Sequence, residues 1–412
     1  MSYRSLVVAV ILASALLVGA FLVQRARPAV ETHQPTAALV RASGKCAECH
    51  RHETSAIVDQ FERSAHAAKG ITCLDCHQPQ EGQEKLEHRG FTIARSLTAK
   101  NCASCHATEY EQFARSRHAA PAWASVNGSK DMSPEQLALG EKYHPTWVNR
   151  PPMVVGQLEG KSAVESGCNT CHAIGKPNAD GSFGSCTNCH ARHSASVALA
   201  REPTTCGQCH MGPDHSQLEI YGESKHGALF AAQHAQLDLS ADPKTLTTAA
   251  MSVPTCATCH MSGLEGMKVT QDTTERLSYF LFAPVSQLRP EGARGKREMQ
   301  ELCSKCHTRS RIEDFYAKAE TVLQDTNAKV SAATEVVKTM RAEGPLTPAP
   351  FDEPVEYTEF DLWHYYGRTA KHGAFMGGAD FVQWHGNYEL MKLKMELDHQ
   401  LEELRAAKKA AH

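Results

Sequence analysis

The sequence predicts a mainly α-helical protein whose interior is filled by attached groups more than by its own apolar side chains, with long helices at the C-terminal end. Three observations predict it. All sixteen cysteines fall in eight Cys-x-x-Cys-His units, with none left over. The units crowd residues 45–310 too closely for independent apolar cores between them. The last hundred or so residues then change character and carry apolar positions at helical spacing.

The units are Cys46, Cys49 and His50; Cys73, Cys76 and His77; Cys102, Cys105 and His106; Cys168, Cys171 and His172; Cys186, Cys189 and His190; Cys206, Cys209 and His210; Cys256, Cys259 and His260; and Cys303, Cys306 and His307. One such unit alone could be half a zinc site or a redox dithiol. Structural zinc would recruit the pairs two by two and would not call for a histidine after every second cysteine. A disulfide framework has the same fault. Haem explains both spacing and repetition, because two thiols add across its vinyl groups and the next histidine becomes the iron's proximal ligand. The expectation is a multihaem cytochrome c domain over 45–310 with eight covalently attached haem c groups, each with its iron, and the porphyrins as its core. Cys168 and Cys186 are 18 residues apart, and Cys186 and Cys206 are 20 apart, which leaves room only for short helices and loops. A formal charge of −3, made more negative by haem propionates, gives no basic surface for a nucleic acid.

Ahead of this domain, Arg4 precedes an uninterrupted apolar run from Leu6 to Val23, followed by Arg25 and Arg27. Its 18 residues just suffice to span a membrane. A cleaved signal peptide ending at Val18-Gly19-Ala20 is the alternative, but Phe21, Leu22 and Val23 prolong the run past that point and favour an anchor. Residues 1–24 thus read as signal-anchor or signal peptide and 25–44 as a tether. Haem is attached to such units outside the bacterial cytoplasm. The expected location is therefore periplasmic or otherwise extracytoplasmic, anchored to the cytoplasmic membrane, with the quinol pool or a redox-partner cytochrome as electron partner.

A short repeat runs through the haem region. "FERSAHAA" (61–68) and "FARSRHAA" (113–120) follow the first and third units, and related patterns recur as "SKHGA" (224–228) and "AKHGA" (370–374). Each centres on a histidine (His66, His118, His226 and His372) placed to ligate an iron on its distal face. The 23 histidines include eight proximal ones. Of the others, His88, His193 and His234 join these four as distal candidates, whereas His33 and His412 lie in tails and His399 in a charged helix. Residues 311–412 form the C-terminal helical region. Ile312, Phe315, Ala319, Val322 or Leu323, Val330, Ala333, Val337 and Met340 mark one long helix, stopped by Gly344 and Pro345. After a proline-rich loop a second begins near Asp380, with the stripe Phe381, Trp384, Tyr388, Met391 and Met395. The pair reads either as an antiparallel cap on the haem domain or as a subunit interface.

The block "CNTCH…CTNCHARHSASVALAREPTTCGQCHMGPDHSQLEIYGESKHG" (168–227) resembles the octahaem hydroxylamine oxidoreductase family, and "PTCATCHMSG" and "KHGAFMGGADFVQWHGNYELMKLKMEL" extend the likeness. The resemblance implies a homotrimer with one five-coordinate catalytic haem, carried here by Cys168, Cys171 and His172. It also implies that Asp214 and His215, which no haem attachment requires, are distal-pocket acid–base residues, joined by Tyr279. On the residues alone, His215 could equally ligate iron. Members that oxidise hydroxylamine link a neighbour's tyrosine to the catalytic porphyrin, and the matching position here is Phe381, with Tyr365, Tyr366 and Tyr388 nearby. A member without the link is expected to reduce nitrite or hydroxylamine to ammonium. The alternatives are hydroxylamine oxidation and a tethered electron conduit with no substrate.

Overall fold

The computed structural model describes residues 37–344 and 346–410, together with Ser5 and Ser14. Apart from Ser14, the run from Leu6 to Val23 lies outside the described residues, as does most of the expected tether. Among those described, no helix is long and apolar enough to cross a membrane.

The chain is mainly helical, as expected. Helix α1 (Ala37–Glu53) starts within the stretch read as a tether and kinks at Gly44, φ 52°, just before Cys46. That left-handed conformation is open to glycine at no steric cost. A hairpin follows, β1 (Lys85–His88) against β2 (Phe91–Ala94), with Lys85 opposite Ala94 and His88 opposite Phe91. Its two-residue turn has positive φ at both Arg89 and Gly90, the combination that suits the right-handed twist of paired strands.

Most CxxCH units ride on single helical turns, and a Ser or Thr just ahead of several of them shows why the turns form. The Thr72 side chain caps the turn Cys73–His77, and Asp75 closes a capping box. Ser185 does the same for Cys186–Asn188 and Thr255 for Cys256–His260. Each hydroxyl satisfies a helix-end N–H that a turn this short would otherwise leave open. Around the fourth unit, α2 (Ala107–Arg115), α3 (Ala120–Asn127) and α4 (Asn169–His172) surround a small core of Ala119, Ala120, Trp123, Ala124, Met132 and Phe183. Helices α5 (Gln217–Glu223) and α6 (Lys225–Gln233) follow the sixth unit.

The C-terminal region departs from the expected pair. Helix α7 (Arg309–Glu343) ends at Gly344 as predicted, but Tyr316 and not Phe315 takes the buried position near its start; Phe315 is 37% exposed. A second helix, unforeseen after the prolines, runs through α8 (Pro354–Asp361), a π-helical turn at Leu362–Gly367, and α9 (Arg368–Met376). A third comprises α10 (Ala379–Val382), a π turn at Gln383–Tyr388, and α11 (Glu389–Ala410).

The expected antiparallel pairing is corrected by two contacts. Lys329 donates to Asn387 at 2.7 Å near the start of the packed segments, and Arg405 pairs with Glu343 at 2.8 Å near their end. α7 and α11 are therefore parallel, because the unforeseen helix carries the chain back between them. Their shared core is Val330, Ala333, Val337, Met340, Val355, Leu362, Leu390 and Leu397. The single-face stripe is corrected too. Phe381 is 8% exposed, but Trp384, Tyr388, Met391 and Met395 are 59%, 44%, 52% and 69% exposed. A π turn adds a residue to the helical period, so Phe381 shares the inward face with Leu390 and Leu397 while the others point out.

Candidate functional site

Between the short helices lies one continuous cavity of about 2930 Å³, lined among others by His118, His172, His190, His210, His260 and His307. The sixteen cysteines form no disulfide. Four proximal imidazoles face a second imidazole: His210 and His118 with ring centres 5.9 Å apart and His307 and His226 at 5.9 Å, all on the cavity wall, and, away from it, His50 and His88 at 6.1 Å and His106 and His66 at 6.1 Å. Two imidazoles bound to opposite faces of one metal, with metal–nitrogen bonds of about 2.0 Å, place their ring centres roughly 6 Å apart. The residues fit haem.

The repeat that marked the distal histidines has a physical basis. Ser64 caps the turn holding His66, Ser224 caps α6 two residues before His226, and the Ser116 hydroxyl accepts from the His118 amide at 3.2 Å. Serine two residues before histidine starts a helix and fixes where the ring points. The fourth copy lacks that serine. His372 lies inside α9, its Nδ1 donating to the Arg368 carbonyl at 2.9 Å, and among the described residues no imidazole faces it in the same way. His193 has φ 67° and stands close enough to His77 for its charge, after burial, to lower that imidazole. His234 instead donates Nε2 to Glu202 at 2.7 Å.

The fourth unit sits in a different setting. His172 Nδ1 donates to the Ala122 carbonyl of α3 at 2.7 Å, with the Ser125 hydroxyl 2.9 Å away. This keeps its proton on Nδ1 and frees Nε2 for a metal. The His215 ring stands perpendicular to that of His172 at 6.2 Å, lies equally far from His210, and packs on Phe282 at 4.9 Å. His215 Nδ1 donates to Asp214 Oδ2 at 2.6 Å. Burial alone would raise the Asp214 carboxyl, but the His215 hydrogen bond, His364 and Arg368 outweigh it and hold it below the usual range.

His364 and Arg368 complete the cluster, and the sequence reading did not single them out. They come from the π turn and α9, with Arg368 Nη1 3.8 Å and His364 Nε2 4.0 Å from Asp214 Oδ2. Arg368 donates to His364 Nε2 at 2.9 Å and to the Phe282 carbonyl at 2.9 Å. Burial, then Arg368, pulls His364 down to about 3, so it is neutral. Its proton is on Nδ1, which is buried and has no hydrogen-bond partner among the described residues. Arg368, lowered by burial to about 10, stays cationic. Tyr365, whose phenol is raised by burial and then by Asp361 and Asp214, stands at the same edge. Tyr279 does not join the cluster as expected. Its hydroxyl donates to Glu320 of α7 at 2.9 Å, and its ring packs on Phe375 at 5.5 Å.

The profile of the family described as seven times multi-haem cytochrome CxxCH matches residues 69–354, a span that holds every unit but the first. A probable nitrite reductase-hydroxylamine oxidoreductase fusion protein of Kuenenia stuttgartiensis is 24% identical over 349 residues, 75% of this chain and 39% of that protein. The chain thus spans about two-fifths of that relative's length. Among solved structures, a hypothetical multiheme protein superposes with a TM-score of 0.75 at 23% identity, covering 90% of this chain and 99% of the other. The Kuenenia stuttgartiensis reducing HAO-like protein complex superposes at 0.66 and 19% identity, covering 89% and 86%. Both share this fold.

Proposed function

Since the chain belongs to the multi-haem cytochrome CxxCH family and carries covalently bound haem c, we propose that it is an octahaem oxidoreductase that reduces nitrite, hydroxylamine or both to ammonium. The observation that carries this is the Asp214–His215 pair, backed by Arg368 and His364 and set 6.2 Å from the proximal imidazole of His172. When bound at Cys168, Cys171 and His172, haem supplies an iron that can take up a nitrogen compound and exchange electrons with it, while the other haems relay them.

The chain's own residues supply the protons. Each electron passed to nitrite or hydroxylamine must be balanced by a proton nearby. Asp214, ionised, accepts the Nδ1 proton of His215 and so leaves Nε2 as the nitrogen that gives or takes one. Arg368 holds the carboxylate in place from its other side. Phe282 covers the His215 ring and keeps water from one face of it. The reductive direction agrees with the names of the two Kuenenia relatives; the resemblance puts Phe381, which has no phenol oxygen, at the linkage position, but that side chain is turned inward, so Tyr365, Tyr366 and Tyr388 are the phenols a link would have to use. The same reading places the protein outside the cytoplasm, tethered to the membrane, supplied by the quinol pool or a partner cytochrome, and assembled as a homotrimer.

Steady-state assays in both directions on the purified holoprotein test the direction. Nitrite or hydroxylamine reduction with a viologen donor is expected to outpace hydroxylamine oxidation. Faster oxidation, or a peptide mass joining Tyr388, Tyr365 or Tyr366 to haem, overturns the assignment.

A further inference from the structure

Three arginines on the cavity wall have guanidinium groups that no carboxylate among the described residues contacts, although Asp272 is near enough to Arg289 to favour its charge. The Arg150 guanidinium lies 4.3 Å from the centre of the Trp147 ring, and that of Arg117 lies 4.8 Å from the same ring. Arg117 also lies 5.2 Å from the Phe280 ring, which Arg289 approaches to 4.9 Å. Two aromatic rings thus string three cations together, and all five residues line the cavity.

Nearby arginines are compensated. Arg115 meets Asp272 at 3.2 Å and Glu275 at 3.5 Å. Arg276 donates to the carbonyls of Cys259, Ser262 and Lys268. Among the described residues, the guanidinium groups of Arg117, Arg150 and Arg289 make neither an ion pair nor a hydrogen bond. Each carries five N–H donors in a planar fork suited to a carboxylate. Ring faces stabilise a cation but do not satisfy its N–H groups, and like charges gathered in a partly dry wall repel unless an anion lies among them.

We propose that Arg117, Arg150 and Arg289 clamp a carboxylate-type oxyanion, and that in the holoprotein this is a propionate of the haem carried by Cys206 and Cys209. Arg117 directly precedes His118, whose ring faces His210 of that unit at 5.9 Å. A free oxyanion such as nitrite is the other source of the same chemistry. The clamp has a consequence for electron flow. Reduction adds a negative charge to a haem, so cations beside its propionate favour the reduced form. At roughly 10 Å and an effective dielectric near 20, one unit charge biases the equilibrium by about tenfold or more. For a one-electron couple a tenfold bias is 59 mV. The clamp would hold this haem, whose proximal His210 lies beside His215, at a raised potential. The inference rests on haem attachment at Cys206 and Cys209, and not on the direction of catalysis.

Potentiometric titration of the holoprotein, followed by low-spin electron paramagnetic resonance and visible absorption, tests it. Arg289→Gln is the lead variant because, unlike Arg117, it does not adjoin a histidine that faces a proximal imidazole, and intact mass checks that its haem content is unchanged. One low-spin couple is expected to fall by about 59 mV or more, and Arg289→Lys is expected to restore most of the shift. Nitrite added to the wild type should leave that couple where it is. If Arg289→Gln loads fewer haems, Arg150→Gln at the exposed rim serves instead. Variants with full haem content and no displaced couple overturn the proposal. So does a wild-type couple that moves with nitrite and ceases to do so in the variant, since the clamp would then hold a free oxyanion and no propionate.

Discussion

Asp214→Asn isolates the charge of the proposed proton-transfer pair while keeping its shape. In the wild type the bond between His215 Nδ1 and Asp214 Oδ2 is 2.6 Å long, with Arg368 at 3.8 Å behind the carboxylate. A hydrogen bond to a charged partner contributes about 1.5–3 kcal/mol, equivalent to roughly 10- to 150-fold. Asparagine weakens that bond if its carbonyl faces Nδ1. If its amide faces Nδ1 instead, the imidazole must carry its proton on Nε2, the wrong tautomer for taking one up. It also leaves the Arg368 cation unbalanced. The expected fall in kcat is therefore about 10²- to 10⁴-fold, the range of general acid–base groups, with haem content and low-spin signals unchanged. Because the Asp214 carboxyl is held below its ordinary value, the ionised form persists as pH falls to about 3.9 and is lost only below it, so the wild type should show no acid limb from this group near neutrality. Turnover with a viologen donor, measured beside the spectra, decides the matter. A variant within about threefold of wild type refutes the role of the pair. Conversion of a low-spin haem to high-spin in His215→Ala, with turnover intact, would show that His215 ligates iron.

Two further outcomes follow from structure away from that pocket. Asp180 accepts from the Ser182 amide and hydroxyl and from Thr98 and Gln83, at 2.6–3.0 Å; burial would raise its carboxyl, but these bonds outweigh it and the group is held low. A depressed folded value means stability present above the unfolded value, about 3.9, and lost as pH falls through the folded one. Asp180→Asn should cost about 2–3 kcal/mol in guanidinium unfolding at pH 7, the gap to wild type closing below about pH 4; a gap unchanged at pH 3 sinks the account. Met391 and Met395 are exposed on α11, and burying each in an interface would contribute roughly 1.5–3 kcal/mol. Replacing both by Glu should dissociate the proposed trimer by light scattering without lowering the stability of the monomer, and a wild type that is itself monomeric refutes the interface.

What was legible in the sequence lies close to a covalent motif. The haem units and the repeat histidines were read directly because both are local signals; the capping hydroxyls beside them, which set each turn and ring direction, are equally local but were recognised only in the structure. The three repeat copies with the serine are the three whose histidines face a proximal imidazole. The copy at His372, which has Ala370 in its place, is not, so the cap was the informative residue and the histidine alone was not. The long helices were visible through their period, but their direction was not, since periodicity carries no sign. Only the return helix, hidden behind Pro345, Pro348, Pro350 and Pro354, decides that α7 and α11 run parallel. The two π turns defeated the rest. In the first, the extra residue brings His364 and Arg368 to Asp214 from the far end of the chain; in the second, it separates Phe381 from Trp384. Wider turns of this kind recur at functional sites, and "LWHYYGR", with a histidine, two tyrosines and an arginine in an otherwise buried helix, is the one local sign that this segment serves a site as well as a core.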